Sequence, residues 1–255
     1  MDIIEYRIMH DMEQSYWWFV GKHFLVKTIL ETLSFDSARH DKILDIGCGT
    51  GSTLQLLEKF GSAYGMELSW EAIRFLRKRG LSLITQSDAN RCLPFKNSTF
   101  SAITCLDVLE HLENDFNLLK EMMRVCKPGG HVIVTVPAFK ILWSPHDIAL
   151  HHNRRYTRKQ MIKKVRRLNC KVIRSSYYNT ALFLPILAAR KLKTLSANKQ
   201  SIHSDFFMPI PRWLNNLLTL LFVSEIRLLR FANFPFGVSL LLILQKDGGN
   251  SNGHK

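Results

Sequence analysis

The sequence predicts an α/β fold built on a mostly parallel sheet of seven strands with helices on both faces. The first observation is that short apolar runs alternate with amphipathic segments, which is typical of βαβ units. The second is that 46% of the residues are hydrophobic, which is enough for a sizeable core. The third is a glycine-rich turn directly after the first apolar run, where open α/β sheets bind their ligands.

Each element follows from its local pattern. The predicted strands are 42–46, 63–67, 81–85, 101–106, 131–137, 171–177 and 236–244. The predicted helices are 52–60, 70–79 (closed by Gly80), 113–126 (stopped by Pro128-Gly129-Gly130) and 157–168, then two apolar helices at 180–195 and 211–232. A His- and Arg-rich loop covers 138–156, and a polar linker covers 196–208.

These elements predict four segments along the chain. We expect an N-terminal helical lid at 1–40, and an α/β core at 41–179 completed by 236–246. An apolar helical insertion at 180–235 would then lie between the last two strands, and a disordered tail would cover 247–255.

The charge distribution indicates an anionic partner. The formal net charge is +14, and residues 148–204 contain 14 Lys and Arg and no Asp or Glu, so the rest of the chain is close to neutral. Nucleic acid, an acidic lipid surface and a phosphorylated substrate all fit such a block. A solvated basic face without a partner remains the alternative.

Other patterns exclude several classes of protein. The N-terminus lacks the basic-then-apolar pattern of a signal peptide, and the five cysteines form no CxxC pair, so we expect a cytoplasmic protein with reduced thiols. The best uncharged apolar stretch is 213–224, too short for the roughly 18 residues that span a bilayer.

The turn with the sequence DIGCGTG (45–51) carries the strongest chemical signal. Its three alternate glycines allow a tight bend and a close approach to a ligand. A dinucleotide-binding GxGxxG motif would have its third glycine at position 52, but this chain has Ser52 there, after a GxGxG unit. The GK[ST] sequence of a P-loop is not present either. Asp45 at the strand end would repel a pyrophosphate and suits a cationic ligand.

Residues 44–51 resemble motif I of the class I S-adenosylmethionine-dependent methyltransferases. The resemblance continues, in the same order, through Glu67, 93–95, 106–112 and 124–130, and covers about residues 40–137. The chain is most similar to the "type 11" group, which acts on small molecules and lipids. The resemblance implies a Rossmann-like sheet and S-adenosylmethionine as the cofactor.

The resemblance also implies roles for individual residues. Glu67 would accept hydrogen bonds from the ribose hydroxyls, Asp88 would bind the adenine amino group, and the backbone of Ala89 would contact the ring. The remaining cofactor-binding candidates are Gly47, Gly49 and Gly51 along the methionine and ribose, Asp45 at the ammonium, and Leu106 and Asp107 between the methionine and the acceptor.

An aromatic segment before the first strand could cover the cofactor. In similar methyltransferases such a segment folds over the site, which makes Tyr16 and Trp17 candidates for a lid. An aromatic cluster that caps the core is an equal alternative.

Methyl transfer to a hydroxyl or an amine requires a group that removes a proton. The candidate bases are His111, His151, His152 and Tyr156, although His111 could equally be a packing residue beside the cofactor. Trp143, Arg154 and Arg155 are candidates for acceptor binding, since the arginines could grip a phosphate or carboxylate. The alternative is a loop ordered by its own polar groups. No metal set is predicted, because adjacent His151 and His152 diverge unless the loop bends.

The sequence thus predicts a methyltransferase for a small-molecule, glycan or lipid-linked acceptor, forming an O-methyl product. Helix 211–232 has a wide apolar face, which predicts that the protein binds peripherally to the inner, anionic face of a membrane. The alternatives are that this helix packs on the core or forms a homodimer contact. An RNA methyltransferase is the second hypothesis, disfavoured because no RNA-binding module or Asn/Asp-Pro-Pro-Tyr motif is present. A non-enzymatic cofactor-binding partner protein is the third.

Overall fold

The structure, a computed structural model, describes residues 3–35, 41–195 and 210–248. The strands are β1 (Lys42–Ile46), β2 (Ser62–Glu67), β3 (Ile84–Gln86), β4 (Phe100–Leu106), β5 (Cys126–Pro137), β6 (Cys170–Tyr178) and β7 (Ser239–Lys246). The helices are α1 (Ile3–Met12), α2 (Trp17–Thr32), α3 (Ser52–Leu57), α4 (Trp70–Lys78), α5 (Asp115–Val125), α6 (Pro145–Ala149), α7 (Arg158–Val165), α8 (Phe183–Leu195) and α9 (Arg212–Leu229).

The seven strands form one sheet in the order β3-β2-β1-β4-β5-β7-β6. β7 runs antiparallel to both of its neighbours, and the other pairs are parallel. This confirms the predicted Rossmann-like sheet. Since the chain leaves β1 first toward β2 and later returns to its other side at β4, the carboxyl ends of β1 and β4 form the switch point of the sheet.

Several element boundaries differ from the prediction, and two of the differences have a clear local cause. The third strand was expected at 81–85 but occupies Ile84–Gln86, because Leu81 still closes the preceding helix with an N–H bond to the carbonyl of Leu76. The predicted helix 113–126 is α5, which ends at Val125 where β5 begins. Pro128, Gly129 and Gly130 do not form a separate turn, however, but lie within the long strand β5.

Alternate residues of the central strands feed two separate cores. Leu44 and Ile46 point to the face covered by α5 and α7, where they join one buried cluster. Ile43, which precedes them, points to the face covered by α2, α3, α4 and α9 and joins the other. This two-residue period is what fixes the strands against register shifts.

Helices α8 and α9 lie between β6 and β7, and α9 packs on α2. The buried ring of Phe222 on α9 stacks on Tyr178 at 5.8 Å between centroids. Glu225, also buried, accepts hydrogen bonds from the backbone N–H of Thr180 at 2.9 and 3.0 Å, which ties α9 to the end of β6. Among the described helices, none has the length and apolarity needed to cross a bilayer. The predicted linker 196–208 and most of the predicted tail, 249–255, lie outside the described residues.

Candidate active site

The glycine turn between β1 and α3 lies at the switch point of the sheet. A Cβ at Gly49, which has a φ of +54°, would have only the sulfur of Met9 within 4 Å, at 3.5 Å, so one side of this turn is lined by little more than a flexible side chain. Gly51 differs, since a Cβ there would lie 2.5 Å from Leu76 and 2.7 Å from Leu81. Gly51 is therefore required for packing α3 on the core. A Cβ at Gly47 would likewise lie 2.5 Å from Val108, so the open side of the turn is at Gly49.

Glu67, at the end of β2, organises the turn with its carboxylate. One oxygen accepts a hydrogen bond from the backbone N–H of Gly49 at 2.9 Å. The other accepts from the backbone N–H groups of Leu68 and Ser69, both at 2.9 Å. The side chain is buried, yet both oxygens have partners, so the carboxylate is held in one orientation beside the turn.

Asp45 lies on β1 directly beneath the turn. Its carboxylate accepts a hydrogen bond from the hydroxyl of Thr104 on β4 at 2.6 Å. Burial, reinforced by the charge of Glu67, raises the pKa of Asp45 to about 7 against the opposing Thr104 hydrogen bond. A cation bound next to Asp45 would favour its ionised form, so the position suits a positively charged ligand.

Asp107 follows β4 in the left-handed backbone region, with a φ of +55°. Its carboxylate contacts the ammonium group of Lys22 on α2 and accepts a hydrogen bond from the hydroxyl of Thr135 at 3.0 Å. Burial alone would raise the pKa of Asp107, but Lys22 outweighs it and holds the pKa below its usual value. Asp107 is thus an ionised carboxylate facing the gap between the strand ends.

Helix α1 forms a roof over the glycine turn. Tyr6 is buried near Glu67, and burial followed by the charge of Glu67 raises the pKa of its hydroxyl. Glu13 accepts a hydrogen bond from the hydroxyl of Thr50 in the turn at 2.7 Å and contacts Arg79. Arg79 also donates to the carbonyl of Thr50 at 2.8 Å. A buried ion pair thus latches α1 to the turn.

The predicted lid residues take different places. The ring of Trp17 packs edge-on against Phe222 of α9, with centroids 6.1 Å apart, and its backbone N–H donates to the side chain of Asn215 at 2.9 Å. Its surroundings therefore favour the core alternative. Tyr16 is half-buried and directly precedes α2, so it stays next to the hinge between the two N-terminal helices.

The remaining cofactor candidates lie along the same edge of the sheet. Asp88 follows β3, and its carboxylate accepts the backbone N–H of Asn90 at 2.8 Å. Ala89 is partly buried against the core, and Leu106 is partly buried at the end of β4. Asp88 and Ala89 therefore lie beyond Glu67, on the side where the resemblance places the adenine.

The loop after β5 is held together by one buried carboxylate. Asp147 on α6 accepts hydrogen bonds from the guanidinium of Arg155 at 2.7 and 3.1 Å and lies 3.0 Å from Nδ1 of His152. Burial opposes its charge, but His152 and Arg155 keep the pKa of Asp147 well below its usual value. Arg155 also donates to the carbonyl of Ala138 at 3.0 Å. The guanidinium of Arg155 thus donates to groups of the loop and the preceding strand end. This favours the alternative that the loop is ordered by its own polar groups over the alternative that Arg155 binds a substrate.

The other candidate residues of this loop differ from one another in burial and in hydrogen-bond partners. Tyr156 is buried and donates its hydroxyl to Asp115 at 2.8 Å, while burial and the charge of Asp115 raise its pKa, so it is a proton donor rather than a base. Arg154 donates to the carbonyl of Glu113 at 3.0 Å and is one-third exposed. Trp143 is half-buried, and His151 is exposed.

His111 and His152, which are distant in the sequence, meet at the end of β4. Their rings are 4.8 Å apart between centroids, and Glu110 lies beside them. Burial and then His152 lower the pKa of His111 to about 4, so His111 is neutral and a weak base. Of the four predicted bases, His111 and His152 are the two that the fold brings together.

Sequence reasoning missed the residues that reach the site from α1 and α2. These are Tyr6, Met9, Glu13 and Lys22, together with Arg79 from α4 and Glu110 after β4. The one available signal was Lys22, since a lysine inside the apolar segment 17–26 needs a buried partner.

The site fits S-adenosylmethionine on its own chemistry. Three carboxylates, Asp45, Glu67 and Asp107, surround a turn that has an open side at Gly49. An ammonium and a sulfonium group would be attracted there, and a pyrophosphate would be repelled. Glu67 at the end of β2 has the position from which an acid binds ribose hydroxyls in related sheets.

Comparisons with known proteins agree with this geometry. Residues 44–134 match the family model described as a methyltransferase domain. Over these residues the chain is similar to that family. A structure of a SAM-dependent methyltransferase from Archaeoglobus fulgidus superposes with a TM-score of 0.57 at 19% identity, covering 88% of this chain and 94% of that one. The chain therefore has the fold of these methyltransferases.

Two further matches to the methyltransferase domain bear on the cofactor and the reaction. The Haemonchus contortus phosphoethanolamine N-methyltransferase 2, solved with S-adenosylmethionine, superposes with a TM-score of 0.54 at 15% identity, covering 88% of this chain and 52% of that one. A ubiquinone biosynthesis O-methyltransferase from Aliivibrio fischeri is 30% identical over 97 residues, which are 36% of this chain and 42% of the relative. The chain spans about half the length of the curated relatives it matches. The aligned part is 42% of the Aliivibrio fischeri relative and 55% of an uncharacterized protein from Methanocaldococcus jannaschii.

Proposed function

We propose that this protein transfers a methyl group from S-adenosylmethionine to a hydroxyl of a small-molecule, glycan or lipid-linked acceptor. The observation that carries the proposal is the glycine turn surrounded by Asp45, Glu67 and Asp107, which faces the two histidines His111 and His152 at the same edge of the sheet. The similarity to ubiquinone biosynthesis O-methyltransferases supports a hydroxyl as the acceptor group.

The cofactor supplies an electrophilic methyl group on a positively charged sulfur. Glu67 would hold the ribose through its hydroxyls, and Asp45 would pair with the methionine ammonium. Gly47 and Gly49 allow the backbone to approach this chain of atoms. Asp107 lies where the transferred group and the acceptor meet, and Lys22 keeps it ionised.

The protein's part in the reaction is alignment and the removal of one proton. In-line displacement requires the acceptor oxygen opposite the departing sulfur, and positioning of this kind supplies much of the rate enhancement. His152 is the better candidate for the acceptor's proton, because Asp147 orients its ring through Nδ1 and leaves Nε2 for the acceptor. Tyr156 and Arg155 hold the surrounding loop.

The experiment combines binding with transfer. Calorimetry of the purified protein with S-adenosylmethionine should show one site, and Glu67→Gln, which removes the charge and keeps the size of the side chain, should weaken binding at least tenfold. A tritiated methyl donor should then label the lipid or glycan fraction of a cell extract. Labelling confined to RNA would establish the RNA methyltransferase instead, and binding without transfer to any fraction would favour a non-enzymatic partner protein.

We propose further that α8 and α9 bind an anionic membrane surface. Several large apolar side chains on and next to these helices are exposed, among them Trp213 (67%), Leu220 (61%) and Phe231 (87%). Arg212, Arg227 and Arg230 are exposed around them, while the one acidic residue of α9, Glu225, is buried. Apolar side chains bordered by exposed arginines match an acidic lipid surface.

Flotation with vesicles tests the membrane proposal. The protein should float with phosphatidylserine vesicles at low salt, and a Trp213→Ser/Phe231→Ser double variant should float much less. Leu83→Ser, an exposed leucine before β3, is the matched control and should behave as wild type. If the wild-type protein stays at the bottom of the gradient, the proposal is excluded. If the wild-type protein sediments as a dimer and the double variant as a monomer, the same face is a homodimer interface instead.

A further inference from the structure

Three potential metal ligands converge next to the candidate active site. Glu110 and His111 lie in the short 3-10 helix after β4, and His152 lies between α6 and α7. The carboxylate and imidazole ligand atoms of the three residues all lie within 4.8 Å of one another. Ligand atoms around a first-row metal ion at about 2.1 Å are about 3.4 Å apart, so small side-chain movements would close the set.

Glu110 gives independent support for a bound cation. Its side chain is fully buried, and neither carboxylate oxygen has a hydrogen-bond partner among the described residues. A buried carboxylate without a partner is strongly unfavourable, and buried charges are normally paired or bound to a metal. Lys22, the nearby cation, is engaged by Asp107, so it does not pair with Glu110.

The backbone holds the two halves of the cluster together. His151 has a φ of +55°, and this bend turns the following residue back toward the sheet. Asn153 then donates its backbone N–H to the carbonyl of Glu110 at 2.7 Å and its side-chain amide to the carbonyl of His111 at 2.8 Å. The loop is therefore fixed to the 3-10 helix by hydrogen bonds to its backbone.

The orientation of His152 is the one that metal ligands require. Its Nδ1 lies 3.0 Å from a carboxylate oxygen of Asp147, and its side chain is only 6% exposed. A carboxylate bound to one ring nitrogen fixes the tautomer and leaves the other nitrogen to coordinate. Arg155 holds Asp147 in turn, so the support extends one residue further.

We propose that Glu110, His111 and His152 bind a divalent first-row transition metal ion. Two imidazoles and one carboxylate suit ions such as Zn²⁺, Fe²⁺ or Co²⁺ and leave coordination positions open for water or a substrate oxygen. The role of the metal in the reaction rests on the proposed function. An open coordination position would take the hydroxyl oxygen of the acceptor. With the metal bound, Nε2 of His152 is a ligand and does not accept the acceptor's proton. Coordination lowers the pKa of the hydroxyl instead, and its proton leaves to water. The oxygen then forms a bond to the methyl carbon as the carbon–sulfur bond breaks, and the sulfur keeps the electron pair.

The test is direct metal binding to the whole 255-residue chain after chelator treatment. Titration with Co²⁺ should give a visible absorption spectrum that saturates at one ion per chain, and Zn²⁺ should displace it. Glu110→Gln, which removes a carboxylate oxygen and keeps the size of the side chain, and His152→Asn should each weaken binding at least tenfold, since even indirect ligand contacts are worth ten- to hundredfold. The matched controls are Glu113→Gln and His151→Asn, which alter exposed neighbours and should leave the metal affinity unchanged.

Two outcomes overturn the metal site. One is folded wild-type protein that shows no saturable Co²⁺ spectrum, and the other is a spectrum that survives both Glu110→Gln and His152→Asn. Calorimetry with S-adenosylmethionine on the same samples separates the two proposals. Cofactor binding without Co²⁺ binding removes the metal site and keeps the methyltransferase, whereas Co²⁺ binding without cofactor binding does the reverse.

Discussion

Replacing Asp45 by asparagine should stabilise the protein and weaken its binding of S-adenosylmethionine. The substitution removes the charge and keeps the size of the side chain. The amide oxygen of the introduced asparagine could still accept the hydrogen bond that the hydroxyl of Thr104 donates at 2.6 Å. The exchange therefore isolates the effect of a negative charge buried beneath the glycine turn.

The magnitude follows from the pKa of Asp45. Burial raises it from the usual 3.8 to about 7 in the folded chain. As the pH rises the unfolded chain loses this proton first, so the free energy of unfolding falls between pH 4 and pH 7 and stays low above. A shift of about 3 units corresponds to about 4 kcal/mol, which is an upper limit because the folded chain relaxes around the charge. Asp45→Asn should thus gain about 2–4 kcal/mol at pH 8 and almost nothing at pH 4.

Urea denaturation of the cofactor-free protein at pH 4, 6 and 8 measures this difference. The control is Asp11→Asn, which removes the same charge from an exposed position. Calorimetry at pH 8 should show that Asp45→Asn binds S-adenosylmethionine about tenfold less tightly, since a hydrogen bond between charged groups contributes about 1.5–3 kcal/mol. A variant that is less stable than wild type at pH 8, or a gain that is equal at pH 4 and pH 8, would refute the reasoning.

Three other substitutions test the remaining contacts of the site. Gly51→Ala should destabilise the fold by about 3 kcal/mol in urea, because its Cβ would lie 2.5 Å from Leu76 at a φ of +95°, whereas Gly80→Ala, at a φ of +78° in open space, should cost only about 1 kcal/mol. Lys22→Met should lower the free energy of unfolding by about 3 kcal/mol at pH 7 by leaving Asp107 unpaired. Since the pKa of Asp107 is depressed in the folded chain, this deficit should shrink as the pH falls toward 3, and a pH-independent deficit would contradict the pairing. Phe222→Ala should cost about 3–5 kcal/mol in a thermal or urea melt, because its buried ring joins Tyr178 to the N-terminal tryptophans; a loss below about 1 kcal/mol would argue against that packing.

The sequence was sufficient for the sheet and for placing three acidic residues at one edge of it. Both depend on local patterns, namely apolar runs of strand length and a glycine turn that follows β1 directly. Asp45, Glu67 and Asp107 each lie at or next to the end of a strand, and parallel strands bring their carboxyl ends to one edge. Position along the chain therefore predicted position in space.

The acceptor side could not be predicted in the same way. His111 and His152 meet only because the backbone bends at His151 and Asn153 bonds back to the 3-10 helix, and no local pattern specifies either event. Arg155 was expected to face a substrate, yet it satisfies Asp147 inside the loop. Contacts of the N-terminal segment, such as Glu13 with Thr50, likewise depend on how a separate helix docks.

The latch between α1 and the glycine turn has a kinetic consequence. Glu13, Thr50 and Arg79 join the N-terminal helix to the glycine turn. On the proposed function, donor and spent product would then exchange through an opening of the N-terminal helices. Each turnover would then include one unlatching event, whose frequency is set by a buried ion pair rather than by the reactivity of the sulfur. Rate-limiting release of this kind makes turnover sensitive to substitutions far from the transferred carbon.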